Sequence, residues 1–158
     1  MQYPAKNPEP QGQAFPVWTY EQAQRAVPYI SSILNSIRER YLETAAHQRR
    51  AKQLADQPGR PDRYQLITQQ NATKDAGMHE EQLLEALQEL TSLNIHCVDP
   101  VEGFAMIPFV KGDQLAWFVF ELHAEDRLTA WRFHNDNLEE RRPLDEIRDE
   151  PMPSSIVV

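Results

Sequence analysis

The stretch "LNIHCVDPVEGF", Leu93 to Phe104, decides the fold because the spacing of apolar residues changes there. Leucines recur at helical spacing before it, whereas short runs of aromatic and β-branched residues follow it. Asn94 is a natural helix stop, and "DPVEG" has the composition of a turn. We therefore predict a connection from a helical part to a sheet, with His96 and Cys97 on opposite faces of the first strand.

Towards the N-terminus, the first helical segment has a clear start signal. Thr19 and Gln22 match a capping box, so a short helix is expected over about 20–26. Pro28 cannot continue a helix without losing a backbone hydrogen bond, but it can begin one. The pattern predicts a bend at this proline and then a long helix over about 28–55.

A second helix is predicted over about 62–93, after the breaker "DQPGRPD" at 56–62. Both long helices are most apolar at the ends remote from this breaker. That arrangement indicates an antiparallel helical hairpin with an apolar base and a polar tip.

Short strands follow the connection, and turn signals separate them. The predicted strands cover about 95–98, 104–110, 114–122 and 127–134. Pro108 cannot donate to a neighbouring strand, which favours an edge strand or a bulged one. The expected fold class is α+β, a long antiparallel helical hairpin followed by a three- to four-stranded antiparallel β-meander.

The segment "LAWFVFEL", Leu115 to Leu122, is apolar on both of its faces, so the sheet needs a cover on each side. The second cover could be the segment "NDNLEERRPLDEI" at 135–147, the C-terminal tail, or a second copy of the chain. An apolar sheet face in a small protein often serves as an interaction surface. The candidate interface residues are Trp117, Phe118, Phe120, Trp131 and Phe133.

Composition narrows the classes of partner and compartment. The 158 residues suggest one domain over 18–147, with a disordered N-terminal tail at 1–17 and a C-terminal tail at 148–158. The net charge of -8 argues against nucleic-acid binding. The best candidate for a local basic patch is "QRRAK" at 48–52. A single cysteine, no signal-peptide core and no membrane-length apolar run indicate a cytoplasmic protein that does not enter membranes.

Two segments resemble the domain of unknown function 2203 family, a group of small bacterial proteins. The first is "WTYEQAQRAVPYI", whose matching residues are Trp18, Thr19, Glu21, Ala23, Val27, Pro28 and Ile30. The second comprises the sheet segments and the ending "EERRPL". The resemblance covers about 18–144 and implies a helical hairpin with an antiparallel sheet, but no established activity. The sequence departs from the family pattern at Met106, where an acid is typical, and at Arg132, where histidine is frequent.

Three candidate sites can be weighed against structural roles. Aromatic and basic residues in or just after the last strand could bind a planar or anionic ligand, although a core tryptophan and surface ion pairs of the arginines are the favoured interpretation: Trp131, Arg132, His134 and Arg141. A carboxylate–histidine cluster on the hairpin is an alternative metal site, and a solvated helix face is the competing interpretation: Glu39, Glu43, His47 and His79. The adjacent His96 and Cys97 cannot ligate one ion without a bulge.

No specific catalytic signature is present, so the sequence alone does not reveal what the protein does. It lacks a glycine-rich phosphate loop and a nucleophile elbow. We therefore expect a non-enzymatic interaction module that requires no cofactor and associates with itself or with another protein. The alternative is a small-molecule-binding or metal-dependent enzyme with a site near the last strand or on the hairpin.

Overall fold

The computed structural model describes residues 14–157 and has an α+β architecture, as predicted. The elements follow one another as β1 (Ala14–Pro16), α1 (Tyr20–Ala55), α2 (Arg63–Ser92), β2 (His96–Asp99), β3 (Phe104–Lys111), β4 (Gln114–Glu121), β5 (Leu128–Phe133), a 3-10 helix (Leu144–Glu146) and β6 (Ser155–Val157). The main sheet has the order β2-β3-β4-β5 and is antiparallel throughout. The predicted helical hairpin and β-meander are confirmed.

The predicted break at Pro28 is wrong, because α1 is continuous from Tyr20 to Ala55. Pro28 has no N–H, so the carbonyl of Gln24 loses its helical hydrogen bond. Because Gln24 and Pro28 are both exposed, water can bind that carbonyl instead. Ala23 and Ile30, on either side of the proline, are fully buried in one core cluster. This shared packing holds both halves in a single helix.

The predicted helix stop at Asn94 has the geometry of a Schellman motif. Asn94 has a positive φ of 61°. Its N–H donates to the carbonyl of Thr91 at 2.8 Å, and the N–H of Ile95 donates to that of Leu90 at 3.3 Å. Leu90 and Ile95 are both buried in the core cluster. The motif therefore ends α2 and aims the chain into β2.

One face of the main sheet packs on the base of the helical hairpin, and we call it the inner face. Its buried residues are Ala105, Ile107, Phe109, Ala116, Phe118, Phe120, Leu128 and Trp131, and they share the core cluster with Ile30, Ile33, Leu34, Ile37 and Leu90 of the helices. Nearer the interhelical loop the buried residues are smaller, namely Thr44, Ala72 and Ala76. The hairpin thus has the apolar base and polar tip that the sequence predicts.

Pro108 lies in β3, which has a neighbour on each side, rather than in an edge strand. However, β2 pairs with β3 only over residues 104–106, so the edge of β3 is open beyond that point. The carbonyl of Pro108 accepts the N–H of Trp18 there at 2.8 Å. A residue's N–H and C=O point to the same side of a strand, so the missing donor of this proline faces the open edge.

The segments next to the two ends of the chain pair with each other. Ala14–Pro16 and Ser155–Val157 form a two-stranded antiparallel sheet, although both were expected to belong to tails. The adjoining residue Trp18 is anchored by a hydrogen bond from its Nε1 to the carbonyl of Leu93 at 2.9 Å. The rest of the predicted N-terminal tail, residues 1–13, lies outside the described residues. No helix within 14–157 is long and apolar enough to cross a membrane.

Candidate functional site on the outer face of the sheet

The face of the main sheet that is turned away from the helices carries the candidate site, and we call it the outer face. Strand alternation and register assign to it Phe104, Met106, Pro108 and Val110 of β3, Leu115, Trp117, Val119 and Glu121 of β4, and Ala130 and Arg132 of β5. These side chains are separate from the core cluster of the inner face. The outer face thus combines apolar residues with an arginine.

Arg132 lies across this face rather than pointing into solvent. Its Nη2 is 3.8 Å from the sulfur of Met106, and β4 separates the two strands that carry these residues. The arginine side chain must therefore cross over β4, where Val119 pairs with Met106 on one side and Ala130 on the other. Val119 is fully buried, and Arg132 itself is only 8% exposed. Met106 and Arg132 are therefore in contact across β4.

The buried guanidinium of Arg132 has few partners. Its Nη1 donates to the carbonyls of Asp136 at 2.6 Å and Phe133 at 3.3 Å. Its Nε is buried and has no hydrogen-bond partner in the part of the chain that the structure describes. Burial lowers the pKa of Arg132, the charge of Asp136 opposes that effect, and the charge of Arg141 adds to it. Arg132 is thus a buried cation with incomplete compensation.

The nearest acidic residue, Asp136, is held by another arginine. Its carboxylate accepts hydrogen bonds from Nε and Nη2 of Arg142 at 2.8 and 3.1 Å, and from the N–H of Phe133 at 2.9 Å. The bond from Arg142 is the main reason that the pKa of Asp136 lies below its usual value. Arg142 also exchanges two backbone hydrogen bonds with Trp131, which ties the loop after β5 to that strand. Within residues 14–157, Arg132 forms no salt bridge.

Two further groups from the predicted ligand site lie on the outer face. The guanidinium carbon of Arg141 is 5.1 Å from the ring centroid of Phe104, so this side chain reaches over the face to β3. The indole N–H of Trp117 donates to Nδ1 of His134 at 3.0 Å. Arg132, His134 and Arg141 therefore share one face of the molecule.

Trp131, the fourth member of the predicted ligand site, does not join them. Its ring is buried on the inner face, and its Nε1 donates to the carbonyl of Pro143 at 3.0 Å. Trp117, which pairs with Arg132 in the strand register, is the tryptophan of the outer face. The sequence signal that could have distinguished the two tryptophans is the alternation of side chains along β4 and β5, which assigns Trp117 and Trp131 to opposite faces of the sheet.

Most of the predicted interface residues are part of the protein's own core. Phe118, Phe120 and Trp131 are buried on the inner face, and Phe133 packs against the same cluster. These side chains are therefore unavailable to a partner while the hairpin covers them, which corrects their assignment to an exposed surface. Trp117 alone of the five lies on the outer face.

The predicted hairpin cluster is brought together only in part. Nδ1 of His79 is 3.3 Å from a carboxylate oxygen of Glu43, and the rings of His47 and His79 stack with their centroids 4.1 Å apart. Glu39 lies one turn away and is exposed. Stacked imidazoles do not aim their nitrogens at a common point. Within the described residues, no three histidine, cysteine, aspartate or glutamate side chains converge as metal ligands.

His96 and Cys97 point to opposite faces of β2, as predicted. His96 is exposed, whereas Cys97 packs against the core cluster. Burial, with a smaller contribution from Asp99, raises the pKa of the Cys97 thiol to about 11. The thiol is therefore protonated at neutral pH, and His96 points to the other face of the strand, so this stretch is a structural connection.

Comparison with known proteins identifies one family. Residues 16–144 match the model of a family described as an uncharacterized conserved protein, DUF2203. The match spans most of the chain, which therefore belongs to this family, and the resemblance seen in the sequence is confirmed. Neither the curated proteins nor the solved structures gave a match.

Proposed function

We propose that this member of the DUF2203 family is a non-enzymatic, cytoplasmic protein-interaction module that self-associates through the outer face of its sheet. The supporting observation is that some apolar side chains of this face stay partly uncovered, although Met106, Val110 and Val119 are buried within a single copy of the chain. Leu115 and Trp117 are only half-buried and lie outside the core cluster. Leu138, in the loop after β5, is 49% exposed. Tryptophan is enriched among the residues that dominate interface energies.

The charges of the same region favour a second copy of the chain as the partner. Glu121 belongs to the outer face, and Glu139 lies beside Leu138 in the loop, whereas Arg141 supplies a group of the opposite sign. A two-fold axis brings the same patch against itself, so a patch with both signs can place opposite charges in contact. A patch of one sign would repel its own copy.

Analytical ultracentrifugation of Leu115→Glu and Leu138→Glu tests this proposal. The wild-type protein is expected to form a dimer. Each substitution would bury a carboxylate in an apolar contact and should weaken dimerisation by about tenfold or more.

Leu66→Glu is the matched control, because it makes the same change at a 45% exposed leucine on α2, away from the sheet. It should leave the dimer intact. Circular dichroism should show that all three variants remain folded. A monomeric wild type at high protein concentration would contradict the proposal, as would equal dissociation of Leu66→Glu.

A further inference from the structure

We propose that Arg132 is the centre of an oxyanion-binding site on the outer face of the sheet. The bound group would be a phosphate or a carboxylate, and its oxygens would occupy the guanidinium edge formed by Nε and Nη2. The site goes beyond self-association, since one copy of the chain contains all of its groups.

The donors of Arg132 are used unevenly, and this asymmetry defines the binding edge. Nη1 already donates to the carbonyls of Phe133 and Asp136. Among the described residues, the one hydrogen bond of Nη2 is to the thioether of Met106 at 3.8 Å, and a thioether is a weak acceptor. Nε is buried without a partner among the described residues. The Nε–Nη2 edge is one that binds carboxylate or phosphate through two parallel hydrogen bonds.

The charge around this edge also fits an anion. Asp136, the acidic residue nearest in the loop, directs its carboxylate to Arg142 and to the backbone. Arg141 adds a second guanidinium on the same face, above the ring of Phe104. A buried cation whose charge is only partly compensated is unfavourable, so an oxyanion here would gain both hydrogen bonds and charge neutralisation.

Met106 controls access to the edge. The side chain is 3% exposed, but it is unbranched and has three rotatable bonds, so it can adopt another rotamer. An oxyanion can then take the position of the sulfur beside Nη2 and reach Nε. The site is part of a sheet face, which suits a small anion or an anionic group carried by a larger ligand.

Thermal unfolding in inorganic phosphate and in acetate tests the inference, with ionic strength held constant by sodium chloride. The wild-type protein should show a saturable rise in Tm with at least one anion, because ligand that binds only the folded state stabilises it. A larger response to phosphate would indicate a phosphorylated ligand, and a larger response to acetate a carboxylate. Arg132→Lys keeps the charge but lacks the planar fork, so its affinity should fall by about tenfold.

Met106→Glu tests the same site while Arg132 stays in place. The new carboxylate would itself bind the Nε–Nη2 edge of Arg132. The protein should therefore stay folded but no longer show a rise in Tm with added anion. Met106→Leu, the apolar control, should keep the response. The inference is overturned if neither anion raises the Tm of the wild type, or if Met106→Glu responds as the wild type does. Repeating the titration with Leu115→Glu separates anion binding from self-association, because the monomer retains every group of the site.

Discussion

Burial acts in opposite directions on the two ionisable groups Cys97 and Arg132, which lie on opposite faces of the main sheet. It raises the pKa of the Cys97 thiol to about 11 and lowers that of the Arg132 guanidinium. In each case the poorly solvated charged form is disfavoured. The thiol loses reactivity as a result, because its thiolate is rare at neutral pH. The guanidinium remains charged, and its need for a counter-charge makes it the better candidate for a functional group.

At this scale, the pH dependence of stability tests the environment of Cys97. Its pKa is raised from 9.0 in a free thiol to about 11 in the folded protein. Above pH 9 the unfolded chain therefore loses the thiol proton first, so this contribution is complete below pH 9 and declines as the pH rises towards 11. Urea unfolding of the wild type and Cys97→Ala should show a steeper loss of stability in the wild type across that range. Parallel curves would contradict the assigned burial.

The turn between β2 and β3 depends on a glycine, as the end of α2 depends on Asn94. Gly103, directly before β3, has a φ of 68°, and an added Cβ would lie 2.4 Å from the Cβ of Leu122. Leu122 is buried and donates its N–H to the carbonyl of Gly103 at 3.0 Å. Neither the backbone nor this neighbour can move freely. Gly77, in contrast, lies within α2 with open space where its Cβ would be.

Alanine at these two glycines should therefore have opposite effects on the element that contains each. We expect Gly103→Ala to reduce the free energy of unfolding by about 2 kcal/mol or more, from backbone strain and overpacking. Gly77→Ala should increase it by up to about 1 kcal/mol, because alanine is the better helix former. Chemical denaturation measures both. A neutral Gly103→Ala would show that this turn adapts.

Across the whole molecule, packing in the hairpin weakens from the sheet towards the interhelical loop. Large apolar residues such as Ile30, Leu34 and Leu90 are buried at the base. Nearer the loop, the buried side chains are Thr44, Ala72 and Ala76, which remove much less apolar area from water. The tip is therefore held mainly by helical hydrogen bonds and polar contacts, such as that between Glu43 and His79.

Hydrogen exchange should reveal this gradient. Amides of α1 beyond residue 44 and of α2 before residue 76 should exchange through local opening, and therefore faster than amides beside Ile33 and Leu90. Exchange measured by NMR or mass spectrometry can compare the segments in one sample. Uniform protection along both helices would contradict the gradient and would indicate a partner on the tip.

Local signals in the sequence were sufficient for the class and order of the elements. Helical spacing of leucines, the capping box at Thr19, the stop at Asn94 and the apolar runs after it each depend on a few neighbouring residues. These features predict the helical hairpin and the β-meander with bounds close to the observed ones. The same signals place Arg132, His134 and Arg141 in or just after the last strand, and the structure brings these three side chains to one face.

Only the tertiary structure decided which side of the sheet is the core and which is the candidate site. Alternation along β4 and β5 divides the side chains into two faces, but both faces are apolar and neither is marked as the one that the helices cover. Packing against the hairpin buries Phe118, Phe120 and Trp131 in the core, whereas Trp117 and Arg132 lie on the outer face. The same long-range packing keeps α1 continuous through Pro28. These outcomes depend on contacts between residues far apart in the chain, and no local pattern encodes them.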